Sequence, residues 1–75
     1  MPHTFEQLIA LEQAAVDAHN ALATADDPAA ARQAAVDTAA AFQAAVTLHA
    51  AAEKTSRVEV EMAVKKAVRH AEAAG

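Results

Sequence analysis

The chain contains no cysteine, no tryptophan and no tyrosine, and its one glycine is Gly75. Each shortage removes a kind of chemistry. Without cysteine there are no disulfide staples, thiolate zinc sites or cysteine nucleophiles. A glycine at position 75 alone cannot build a Gly-rich phosphate loop. No indole or phenol is present to stack a ligand. Serine also occurs once, as Ser56. A Ser56–His49–acid constellation can be drawn, but nothing places a base and an orienting acid around that hydroxyl, and a helix cap explains it better. The expectation is a protein that is not an enzyme and that needs no cofactor.

Long apolar runs are missing too. The most apolar region, residues 39–52, is interrupted by Gln43, Thr47 and His49 and is too short to span a bilayer. No basic segment precedes an apolar run, so no signal peptide is expected, and the expected location is the cytoplasm. Seventy-five residues make one domain.

What is abundant is alanine, 25 of the 75 residues. Alanine is the strongest helix former because its side chain has no rotamer freedom to lose. Only fifteen larger apolar side chains stand beside Met1. Helices should form readily around a thin core, so the chain is expected to complete that core by self-association, as a homodimer or higher oligomer. The alanine content also suits a GC-rich bacterial genome or its phages.

Charge is divided unevenly. Residues 1–53 carry seven acids and one base, Arg32; residues 54–75 carry five bases and three acids, for a net charge of −4. An acidic body with a mildly basic end disfavours general nucleic-acid affinity. It suits contact between copies or with an acidic partner.

The spacing predicts an all-α fold. Thr4 and Gln7 have the form of a capping box, so a first helix spans about residues 5–24. Leu8, Leu11, Ala15, Ala18 and Leu22 form one stripe and Phe5, Ile9 and Val16 another, which gives this helix two neighbours. Asp27 before Pro28 starts a second helix over about residues 28–54, antiparallel to the first. Its expected inward face is Ala31, Ala35, Ala39, Phe42, Val46 and His49, with Val36 and Leu48 off that stripe.

Residues 54–57 are ambiguous. Ser56 and Glu59 have the form of another capping box, which predicts a third helix over about residues 57–74. Yet neither glycine nor proline stands there, and Val60, Val64, Ala67 and Ala71 stay in phase with Phe42 and Val46 if the helix never breaks. Two architectures follow. A turn gives a three-helix bundle, an antiparallel hairpin plus a C-terminal helix. Continuity gives a short helix folded on one long helix, with Val60, Val64 and Val68 left to pack on another chain.

Four histidines raise the question of metal. His49 and Glu53 share a helix face, His3 should lie near the same end, and Glu12 and His19 sit between the two stripes of the first helix. The Glu-x-x-His pair of di-iron carboxylate bundles is absent. These groups read as polar residues at the core's edge, with no metal. The expected interface lies on the third helix: Val58, Val60, Met62, Val64, Val68, Lys65 and Arg69. Val58 and Met62 lie off the main stripe near Lys65 and Arg69, an apolar pair ringed by bases that suits an acidic amphipathic partner. The resulting reading is a non-catalytic, self-associating helical interaction module with a role in assembly, scaffolding or regulation. The alternative is a small dimeric DNA-binding regulator that uses the basic C-terminal helix.

Overall fold

The first helix begins where its capping residues place it. The Gln7 backbone N–H donates to Thr4 Oγ1 at 3.1 Å and the Thr4 N–H donates to Gln7 Oε1 at 2.8 Å, which satisfies two backbone donors at the helix start. In this computed structural model the backbone of residues 3–74 and the side chains of residues 3–71 are described. Helix α1 covers Phe5–Ala21 and tightens into a 3₁₀ turn at Leu22–Thr24. Helix α2 covers Pro28–Glu53; Asp27 caps it by accepting from the Ala30 N–H at 3.1 Å, and Pro28 occupies the first turn, where a missing N–H leaves no bond unmade.

A turn separates α2 from α3, which covers Arg57–Ala74. Lys54 takes the left-handed conformation (φ 54°, ψ 44°). The Thr55 N–H then donates to the Ala50 carbonyl at 3.0 Å and the Lys54 N–H to Ala51 at 3.4 Å, the two bonds of a Schellman motif. A lysine here adopts the backbone state for which glycine is the usual choice, so the sequence carries no visible stop. Of the expected second capping box, the Ser56 half forms: its hydroxyl accepts from the Glu59 N–H at 3.4 Å. The Glu59 carboxylate accepts instead from the Thr55 hydroxyl, also at 3.4 Å.

The result is a three-helix bundle in which α1 packs on α2 and α3 packs on both. The long continuous helix is excluded. His49, near the end of α2, bonds to the carbonyl of His3 before α1, so these two helices are antiparallel. The core is Leu8, Phe42, Ala45, Val46, Ala50, Val60 and Val64, with Ile9 and Leu11 packed against it. Two faces differ in detail from expectation. On α2, Ala45 and Ala50 are buried whereas Ala39 is exposed; on α3, Val68 is buried and Ala71 exposed. Ala45 and Ala50 belong to the same buried cluster as Phe42, Val46, Val60 and Val64, so the inward face of α2 centres on that cluster.

Candidate interaction surface

Each residue of the expected interface has a definite place. Val60, Val64 and Val68 lie inside the chain's own core, with Val64 at 0% exposure. This corrects the expectation that they meet another copy. The Schellman turn folds α3 back so that its valines close on α1 and α2. Val58 and Met62 are on the outside at 63% and 65% exposure. Arg69 and Lys66 are exposed, and Lys65 is half-buried.

Lys65 holds the most structured polar contact of the fold. Its Nζ is 3.1 Å from Glu12 Oε2 on α1, 4.0 Å from Glu61 Oε1 one turn back, and 5.4 Å from the centre of the Phe42 ring on α2. Glu12 is 7% exposed, the one buried charged residue among the described residues. The pair therefore ties all three helices at one level, with the ammonium over the negative face of the ring. Next to it, Gln43 Nε2 donates to Glu61 Oε1 at 3.2 Å, and Arg57 donates to Gln43 Oε1. Arg57, Gln43, Glu61, Lys65 and Glu12 thus make a polar seam from the start of α3 to the middle of α1.

The sequence places Glu12 between two apolar stripes, which is where a group wedged between two neighbours must sit. Its partner was not legible, because the two residues are brought together only when α3 folds back. A cleft of about 250 Å³ opens beside the seam, lined by Glu12, Ala15, Val16, His19, Ala39, Phe42, Gln43 and Lys65. Its walls are mainly apolar; of its polar groups Glu12 and Lys65 bond to each other, Gln43 bonds to Glu61 and Arg57 outside the cleft, and His19 is exposed.

The outer face of α3 is chemically distinct. At 100° per residue Val58, Met62, Lys65, Lys66 and Arg69 fall on one side, opposite Val60 and Val64. A shallow groove of about 390 Å³ runs here, lined by Met62, Ala63, Lys65, Lys66 and Arg69. The side chain of Glu72, one turn after Arg69 in sequence, lies outside the described residues.

The histidines are dispersed. His49 Nδ1 lies 2.7 Å from the His3 carbonyl, and because a carbonyl only accepts, Nδ1 carries the hydrogen. His3 Nδ1 is buried without a hydrogen-bond partner among the described residues. Glu53, His19 and His70 are exposed. Among the described residues no three His, Asp or Glu side chains are grouped to hold a metal ion, and no helix is long and apolar enough to cross a membrane. Ser56 uses its hydroxyl as the α3 cap. No family model, no curated protein and no solved structure matches this chain.

Proposed function

We propose that this protein is a non-catalytic helical module for protein–protein interaction, which associates with itself and receives an acidic partner on α3. Its role would be assembly, scaffolding or regulation of that partner, in the cytoplasm. The observation that carries the reading is the pair Val58 and Met62, two large apolar side chains more than 60% exposed on one helix face. The bases beside them, Lys66 and Arg69, are likewise exposed. Apolar anchors supply affinity when desolvated, and flanking bases select an acidic surface and speed its approach.

The test is fluorescence anisotropy with a labelled, acidic amphipathic helical peptide carrying leucines at i, i+4 spacing. The expected result is saturable binding that weakens with salt and is lost in Met62→Glu, while circular dichroism stays unchanged because Met62 is solvent-exposed. No saturable binding, or equal binding by the variant, overturns the acidic-partner reading.

A second reading rests on the same exposed bases. Lys66 and Arg69 on each copy of a dimer would double a weak cationic strip, as a small DNA-binding regulator requires. Duplex DNA in place of the peptide separates the two. A salt-dependent shift at physiological ionic strength, abolished by Lys66→Glu/Arg69→Glu, favours the regulator. Self-association is tested by light scattering over a concentration series, where a constant monomer mass removes it.

A further inference from the structure

Beyond α3, a second face of the bundle stands without a neighbour among the described residues. On α2, Val36 and Leu48 are 62% and 57% exposed, and Ala40, Ala44, Thr47 and Ala51 between and beyond them are exposed as well. Val36, Ala40, Ala44 and Leu48 are four apart, the spacing of a helix ridge that packs against another helix. From Thr38 to Ala52 no residue is charged. The first charge before this window is Asp37 and the lysine after it is Lys54, both exposed; Glu53, at 100° per residue, falls on the opposite side of the helix.

We propose that this face of α2 seats the same face of a second copy, antiparallel, about a two-fold axis. The proposal rests on the reading that the chain self-associates, and it supplies the surface that does so. The argument is charge complementarity. A face with an acid at one end and a base at the other is complementary to itself only when reversed; parallel packing would set Asp37 against Asp37. In one antiparallel register Asp37 of one copy is level with Lys54 of the other, Ala40 with Ala51, and Ala44 with Thr47. Small residues then meet small residues, which lets the helices approach closely, and each Leu48 enters the shallow space beside Ala40 and Ala44. Thr47 introduces no unsatisfied donor, because its hydroxyl already donates to the Gln43 carbonyl at 3.0 Å. The contact would run about 25 Å along the helices at 1.5 Å per residue. That is a small interface, so the dimer is a weak, reversible one.

The test is sedimentation equilibrium of the full chain from micromolar to millimolar concentration. The expected result is a monomer–dimer equilibrium that Leu48→Glu and Ala44→Glu each weaken by about tenfold or more, the equivalent of ~1.4 kcal/mol, with helicity unchanged because both positions are exposed. Asp37→Lys should weaken the dimer and Asp37→Lys/Lys54→Asp restore it. Orientation is read by cross-linking, since the natural chain has no cysteine: a mixture of Ala40→Cys and Ala51→Cys chains should give the mixed disulfide in excess over either homodimer. A monomer at every concentration, a predominant Ala40→Cys homodimer, or a dimer indifferent to Leu48→Glu overturns the proposal. If Met62→Glu alone abolishes the dimer, the copies meet through α3, and self-association survives while the α2 interface does not. If Leu48→Glu abolishes the dimer and leaves peptide binding intact, the two surfaces are independent.

Discussion

Two residues do something their types do not advertise. Lys54 closes α2 in the left-handed conformation, which disfavours a side chain with a Cβ by roughly 1–2 kcal/mol. Lys54→Gly removes that strain, and after the extra unfolded-state freedom of glycine is offset a gain of about 0.5–1 kcal/mol is expected in urea unfolding. A loss of stability would mean that the lysine side chain itself supports the turn. Glu12 is the other. Its carboxylate is nearly buried and its partner Lys65 is partly exposed, so solvent screens their attraction while the carboxylate has lost most of its hydration. Lys65→Met leaves that carboxylate unpaired and should destabilise by roughly 1–3 kcal/mol. The double variant Glu12→Leu/Lys65→Met should recover most of this loss, because an apolar pair of similar volume has no charge to desolvate. Unfolding free energies of the four proteins make a double-mutant cycle that checks both statements.

At the scale of elements, the helix starts were legible and one helix end was not. Thr4, Asp27 and Ser56 each mark an N-terminus with an oxygen that accepts a backbone N–H, a local interaction between residues three apart. Each →Ala substitution should destabilise by about 1 kcal/mol. Asp27→Ala should act with little change elsewhere, since Pro28 still sets the first helical turn. The end of α2 was obscured because its turn is closed by Lys54 rather than glycine, while alanines and valines on both sides keep helical phase. The choice between bending and continuing is made by what α3 gains on returning: burial of Val60, Val64 and Val68, and the bonds of Arg57, Glu61 and Lys65 to α1 and α2.

For the molecule as a whole, a small number of large side chains is concentrated in one place. Phe42, Leu8, Val46 and Val64 are the largest fully buried side chains among the described residues. Phe42→Ala should therefore lower stability by about 3–5 kcal/mol, enough to leave such a small chain largely unfolded. Leu48→Ala and Val36→Ala, on the exposed face of α2, should change the monomer's unfolding free energy by less than about 0.5 kcal/mol. Thermal unfolding at low concentration makes the comparison. The sequence by itself determined that this protein is helical, where α1 and α2 begin, and that α1 has two neighbours, because capping and amphipathic periodicity are properties of residues three and four apart. Only the tertiary structure decided that the chain bends at Lys54, that Val60, Val64 and Val68 are interior while Val58 and Met62 face outward, and that Glu12 meets Lys65. Those outcomes depend on contacts between residues distant in the chain, whose combined burial and pairing outweigh the strain of one left-handed lysine.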